Sequence, residues 1–438
     1  MNLLTTEQLE TLSGRLEPVD GFRVASMDVD FDPFDFARTG AGLVDRAVAY
    51  SMPDGNRLVG LGTAWRASST GAERFSDLKA SLDGVGLGGR RAFLGFSFTP
   101  NGPTSSDWDG FEAAELLIAR ITIEHFDGRG LLTVVIPDGD KPDDTFGLLA
   151  SMRHPQWGPV VDLGDHSIRS DPTVTEWVTT VAHAVSAIAR GDFEKVVLSR
   201  TVVVESTEPV EILRVFRELA QSYSHSYNFA WKAHDAVFMG ASPELLVQVE
   251  GNKVHSNPLA GTTARGEGLA QDETLGDELL DSSKDRMEHA FVVDDVAARL
   301  RPITSELDVS SAPTLKRLAT VQHLSSDVRG TLRDGLGVLD VIDTVHPTPA
   351  VGGVSRGEAL DHIQSAELID RGWYAGGIGW VNSSGDGEVC IALRCGLVRG
   401  RTTRLYAGAG IVADSLPDAE LAETRIKFKP LLDVLTRN

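Results

Sequence analysis

Two short stretches set carboxylates at helical spacing. In Ala407-Gly-Ala-Gly-Ile-Val-Ala-Asp-Ser-Leu-Pro-Asp-Ala-Glu-Leu-Ala-Glu-Thr-Arg-Ile-Lys427, the side chains of Glu420, Glu423 and Lys427 fall at i, i+3 and i+7 and share one helix face. A solvated Glu–Lys face has the same pattern. In Ser282-Ser-Lys-Asp-Arg-Met-Glu-His289, Asp285 and Glu288 are again i and i+3, ahead of the apolar Ala290, Phe291, Val292 and Val293. Two helices, each offering a carboxylate pair, suit one hard cation with oxygen ligands. Two other residues are of a type that burial would make reactive. Lys195 stands at the entrance of the apolar run in Phe193–Val204, and Glu244, in Ser242-Pro-Glu244, interrupts two apolar segments. A strand-end lysine usually snorkels to solvent, and a turn glutamate is usually solvated. Only burial would strip the lysine of its proton and leave the glutamate its own, making a base and an acid. Arg394, inside the apolar Ile391–Cys395 run, requires a carboxylate partner from the protein or from a ligand. His323 has the surroundings of a satisfied core histidine, and His346-Pro347 those of a turn.

The elements that must carry these groups can be read around them. Leu405, Tyr406 and Ala407 close an extended run, and Gly408 and Gly410 form a glycine turn whose N–H groups can approach a ligand. Ser415 or Asp418 can cap the helix that follows. Upstream, Asp171-Pro172 reads as an N-cap with proline at the first helical position. Trp177, Val178, Val181, Val185 and Ile188 form that helix's apolar face, and Gly191 ends it. A strand follows to Val204. A later strand ends in Pro258–Thr263, where Gly261 and Thr262 present N–H and O–H donors. In the first part, Asp28–Asp32 alternates as a half-buried strand, a pattern that sets aside a calcium loop. Ala92–Phe98, Leu116–Ile123 and Leu131–Ile136 read as strands, and Asp138–Asp144 as a polar loop. Gly84–Gly89 lacks both the dinucleotide fingerprint spacing and a P-loop lysine, and reads as a surface turn.

Composition bounds the chemistry. The 438 residues suit two structural units or one large one, and 42% hydrophobic content is ample for a core. Lys and Arg total 41 against 63 Asp and Glu, a formal net charge of −22. That balance argues against nucleic acid and anionic membranes as partners. An anionic substrate would need local compensation by a metal ion or by particular Arg and Lys side chains. Residues 1–14 offer neither a basic stretch nor an apolar core, so no signal peptide is expected, and no run reaches transmembrane length. Cys390 and Cys395, five apart in one expected strand, would point to opposite faces. No disulfide is expected, and a cytoplasmic location fits.

From about Asp171 to Leu435 the chain resembles the chorismate-utilising enzymes: isochorismate synthases, salicylate synthases, anthranilate synthase large subunits and aminodeoxychorismate synthases. The resemblance rests on an ordered set of motifs. These are Lys195–Arg200, Gly240–Glu244, Pro258–Gly261, Ser283–His289, Gln322–Leu324, His346–Ala350, Ala407–Ile411 and Glu420–Glu423. It implies an α+β fold of two large, mainly antiparallel sheets with helices outside, the fold of anthranilate synthase component I and aminodeoxychorismate synthase. Residues 1–165 would be the variable N-terminal part and 166–438 the chorismate-binding catalytic region.

The resemblance also implies the ligands. Chorismate is a dianion, and Mg²⁺ would bind its ring carboxylate. Glu288, Glu420 and Glu423 would be metal-site residues, with Asp285 close by. Arg394 and Tyr374, with the amide of Gly408, match positions that hold the enolpyruvyl carboxylate. Gly261 and Thr262 match the loop near the ring carboxylate, and His323, Leu393, Ala350 and Lys427 line the site. Lys195 matches the lysine that activates water, where the aminating branches carry glutamine, and Ala260 stands where some of those branches carry a nucleophilic lysine. Water is therefore the expected nucleophile. Lys195, deprotonated by desolvation, would act as base at C2, and protonated Glu244 would act as acid at the C4 hydroxyl. The product would be isochorismate, feeding menaquinone or siderophore synthesis. The alternative is a salicylate synthase, which continues to pyruvate loss; that branch tends to carry threonine where Ala350 stands. Ser355, in place of a proline, and Asn257, before Pro258, depart from the pattern without touching the acid–base pair. A monomer without an amidotransferase subunit is expected.

Overall fold

The computed structural model describes residues 2–86, 89–158 and 163–436. Of the Gly84–Gly89 turn, Leu87 and Gly88 lie outside them. Among the described residues all strand pairings are antiparallel, and they form sheets of 13, 9 and 3 strands. Apolar residues alternate along the strands and so supply two cores. In Arg46–Ser51, Val48 and Tyr50 join a core shared by the two large sheets, while Ala47 and Ala49 join a second core under the outer helices. Both large sheets mix strands from either side of residue 165. Arg46–Ser51 pairs with Tyr227–Ala233 in one, and Arg91–Phe96 pairs with Gly377–Asn382 in the other. The fold is thus the expected α+β arrangement of two large antiparallel sheets.

Two crossovers between the large sheets position the site. The chain leaves the 13-stranded sheet after Ala236–Ser242, passes Pro243 and Glu244, and enters the 9-stranded sheet at Leu245–Glu250. It returns after Gly387–Ile391 through Ala392, Leu393 and Arg394 to Cys395–Arg399. The crossovers are laced together: Ile391 N–H donates to the Glu244 carbonyl at 3.1 Å, and Ala241 N–H to the Arg394 carbonyl at 3.2 Å. Arg394 takes a left-handed φ of 51° at this bend. A glutamate and an arginine therefore sit where the backbone changes sheets, flanked by buried strands.

Several local expectations shift. Gly408 and Gly410 do not form a turn; the strand Thr402–Ile411 runs through both, opposite Ser199 and Val197. The glycines are needed for close approach. A Cβ on Gly410 would collide with the Glu288 carboxylate, and one on Gly408 would lie 2.9 Å from the Tyr374 hydroxyl. The last helix opens at Pro417, so Asp418 lies inside it, and the Ser415 hydroxyl accepts from Val412 N–H at 3.1 Å. The helix Val174–Arg190 is capped by Thr173 in a capping box with Glu176, not by Asp171. Its left-handed terminator is Gly191, as expected. Leu116–Ile123 is two strands, broken at Ala119 and Arg120, and Asp138–Asp144 runs into the helix Pro142–Ser151. The Asp28–Asp32 strand stops at Val29, and Asp32 caps the helix Pro33–Gly40. Cys390 and Cys395 fall on strands of different sheets, both free and buried. Among the described residues no helix is long and apolar enough to cross a membrane.

Candidate active site

Lys195 is the first residue of the strand Lys195–Ser206, and only 1% of it is exposed. Its Nζ lies 3.0 Å from Glu288 Oε1, which reaches it from the helix Ser283–Leu300. Burial pushes the Glu288 carboxyl up, but Lys195, Lys427 and Lys284 together outweigh burial and hold it below the usual range. Lys195 thus meets a carboxylate partner from a helix far along the chain.

Glu244 is the opposite case. It is 4% exposed, and a single backbone donor, Leu259 N–H at 3.4 Å, reaches its carboxylate. Burial pushes it up to about 7, against the weaker pull of Lys316, Arg394 and Lys195. A carboxylic acid that keeps its proton near neutrality is what the apolar flanks of Ser242-Pro243-Glu244 imply.

The oxygen-rich side of the site comes from the two helices anticipated. Asp285 bonds to the N-cap Ser282 hydroxyl, and its carboxyl is raised by burial, with Glu288 and Glu423 adding to the shift. Glu420 is raised by burial and then by Glu423. These carboxylates therefore feel one another. Lysines offset the repulsion: Glu288 pairs with Lys195, Glu420 with Lys284 at 3.3 Å, and Glu423 with Lys427 at 2.5 Å. Among the described residues no three Asp, Glu, His or Cys side chains converge as a finished metal cage. The donor set itself, carboxylate oxygens from two helices, has the chemistry a hard divalent cation takes. Lys284 was missed as a partner, although it lies inside the Ser283–His289 motif.

The remaining wall is polar. His323 Nδ1 lies 3.1 Å from the Gly261 carbonyl and 3.1 Å from the Thr262 hydroxyl, and Arg394 Nη2 lies 3.3 Å from His323 Nε2. Burial, and then Arg394, keep the imidazole neutral. Gly261 takes a φ of +72° at a bulge, with Asp285 Cβ 3.0 Å from where its own Cβ would be. Lys427 Nζ donates to the Gly408 carbonyl at 2.9 Å. The Tyr374 ring stacks on Tyr406, their centroids 5.4 Å apart.

Lys195, Glu244, Gly261, Thr262, Glu288, His323, Ala350, Tyr374, Leu393, Arg394, Gly408, Glu423 and Lys427 all line one cavity. Asp285, which packs against Gly261, and Glu420, paired with Lys284, stand outside its lining. With the lysines drawn onto the carboxylates, about 60 Å³ is free. A larger cavity, about 410 Å³, opens on the other face of the large sheet beside Ala49, Ala230 and Lys232 and contains neither Lys195 nor Glu244.

Residues 22–436 match the family described as chorismate binding enzyme. The salicylate biosynthesis isochorismate synthase of Pseudomonas aeruginosa is 38% identical over 355 residues, 78% of this chain and 73% of that protein. The isochorismate synthase MenF of Bacillus subtilis is 34% identical over 348 residues, 78% of this chain and 74% of that protein. Among solved structures, the menaquinone-specific isochorismate synthase MenF of Escherichia coli superposes with a TM-score of 0.84 at 26% identity, covering 98% of each chain. Anthranilate synthase component I of Streptococcus pneumoniae shares the fold, with a TM-score of 0.72 at 21% identity over 86% of this chain and 92% of that one.

Proposed function

The chain belongs to the chorismate-binding enzymes, in their isochorismate synthase branch, and on that premise we propose that it converts chorismate to isochorismate by adding water at C2 and expelling the C4 hydroxyl. The observation that carries the chemistry is the pairing, in one cavity, of a fully buried lysine with a carboxylic acid whose value is about 7. In this reading Lys195 takes a proton from the water as its oxygen bonds to C2. The C4–O bond breaks as Glu244 gives its proton to the departing hydroxyl. Lys195 must leave its contact with Glu288 to reach the water. Arg394, aimed by His323, and the Tyr374 hydroxyl bind the enolpyruvyl carboxylate, and Gly261 and Thr262 face the ring carboxylate.

Glu288, Glu420 and Glu423, with Asp285 nearby, are the residues that would hold Mg²⁺. Bound there, Mg²⁺ would supply positive charge for the substrate's ring carboxylate against an acidic wall. Ala350 offers no hydroxyl to the ring, which supports release of isochorismate without further loss of pyruvate. Relatives' names include a menaquinone-specific and a vibriobactin-specific isochorismate synthase, and the product proposed here suits a menaquinone or a siderophore pathway.

The test is the product. Wild type with chorismate and Mg²⁺ should form isochorismate, and Lys195→Gln and Glu244→Gln should each lose more than about 100-fold of turnover while still binding chorismate. Either variant turning over at the wild-type rate rejects the assigned acid–base pair.

A further inference from the structure

Behind the cavity lies a buried ion pair that the acid–base chemistry does not use. Glu367 caps the C-terminus of the helix Arg356–Ala366, and Arg371 follows four residues later. Both side chains are 4% exposed and they meet in a two-pronged contact, Nη2 to Oε1 at 2.6 Å and Nε to Oε2 at 2.7 Å. The guanidinium has donors left over. Nη1 donates to the Val351 carbonyl at 2.8 Å, and Nη2 also donates to the Val197 carbonyl at 2.7 Å. Glu367 Oε1 in turn accepts from Ser199 N–H at 2.7 Å. The Phe98 ring covers the guanidinium at 4.2 Å.

These bonds fall where a strand partner runs out. The short strand Gly353–Val354 pairs only with Lys195 and Val196, and Gly352 accepts from Val197 N–H at 2.7 Å. Beyond that point the next groups on this edge, the Val197 carbonyl and the Ser199 N–H, are met by Arg371 and Glu367 instead of backbone. The pair thus extends the ladder with side chains. It ties the strand that begins at Lys195 to the segment that carries Ala350 and Val351. Val197, Ala350 and Val351 line the cavity, whereas Arg371 and Glu367 do not. The backbone carbonyl of Arg371 also accepts from Tyr374 N–H at 2.9 Å, a turn bond that does not involve the guanidinium.

We propose that Arg371, oriented by Glu367, is a positioning residue for the reaction: it sets the spacing between Lys195 on its strand and the Ala350–Val351 wall against which the substrate ring must lie. The role rests on reading the cavity as the chorismate site. Lysine cannot replace it, because one ammonium cannot bond a carboxylate in two prongs and two divergent carbonyls together. A displacement of about 1 Å at the reacting atoms costs on the order of 100-fold in rate, whereas binding contacts elsewhere on the substrate survive.

The experiment compares wild type, Arg371→Lys, Glu367→Gln and the double variant for kcat and KM with chorismate and Mg²⁺, with melting temperature measured on the same samples. The expected result is a fall in kcat of about 10- to 100-fold in each single variant, with KM within about threefold. The double variant should be no worse than Arg371→Lys, because the two residues act as one unit. If Arg371→Lys does not fold, Glu367→Gln decides, since it keeps shape and volume. Single variants that keep wild-type kcat, or lose activity only in step with the folded fraction, overturn the positioning role. A wild type that makes no isochorismate overturns the functional reading itself, and the two failures are distinct because one is read in the parent and the other in the ratio of variant to parent.

Discussion

Arg394 Nη2 stands 3.3 Å from His323 Nε2, and the other ring nitrogen of His323 is 3.1 Å from the Gly261 carbonyl oxygen. A carbonyl oxygen only accepts, so Nδ1 carries the proton and Nε2 offers its lone pair to the guanidinium. A buried histidine that looked like ordinary core is thus a bracket for Arg394, the residue proposed to bind the enolpyruvyl carboxylate. Removing it should leave Arg394 poorly aimed. His323→Ala is expected to raise KM for chorismate about tenfold, the scale of one hydrogen bond to a charged group. An unchanged KM would show that Arg394 is held by other contacts.

Glu244, pushed up to about 7 by burial, works as an acid only while protonated. In the free enzyme, kcat/KM should therefore decline on the alkaline side, with a limb near 7 that is missing from the residual activity of Glu244→Gln. The same shift bears on stability. The folded value lies above the ordinary 4.5, so the stabilisation is complete below 4.5 and is lost as pH rises through about 7. Melting temperature should fall over that window, and less steeply in Glu244→Gln. An identical slope in the two proteins would mean that other groups govern it; Glu388, also near 7 because of burial, is the leading one.

Burial raises Asp285 and Glu420, neighbouring carboxylates add to both shifts, and lysines together with the Ser282 and Ser415 hydroxyls oppose them. Adding Mg²⁺ to the protein alone should raise its melting temperature, and turnover should require the metal. Glu423→Gln should weaken metal binding by about 10- to 100-fold without unfolding the chain. Full activity in excess chelator would dismiss the metal site.

Ala350 lines the cavity beside Val351. A small apolar side chain there leaves the enolpyruvyl group unrestrained, whereas threonine adds bulk and a hydroxyl that can hold a folded-back conformer. Ala350→Thr is expected to raise the fraction of product released as pyruvate, read with lactate dehydrogenase, over a low wild-type background. Pyruvate formed by the wild type as fast as chorismate disappears would mean that the reaction does not stop at isochorismate.

The sequence by itself determined what depends on residue type and periodicity. Spacing of i and i+3 put Asp285 with Glu288, and Glu420 with Glu423, on single helix faces, because a helix repeats every 3.6 residues. The apolar run around Arg394 already asked for a partner, whereas the one around Glu244 left open whether that carboxyl is solvated or buried. Where the sequence misled, a longer-range contact was at work. Gly408 and Gly410 read as a turn because glycine breaks strands locally, yet they are glycines so that Tyr374 and Glu288 can reach the strand from elsewhere in the chain. Ile391–Cys395 read as one strand because nothing in an apolar run marks the point at which the backbone changes sheets.

Only the tertiary structure decided which charges meet. Lys195 and Glu288 are 93 positions apart, and Lys284 and Glu420 are 136 apart. No local pattern relates such pairs, and whether a lysine is a free amine or an ion pair depends on what the fold sets within about 4 Å of it. The same holds for Arg371, whose bonds to Val197 and Val351 close an edge that is visible only once the strands have been laid side by side.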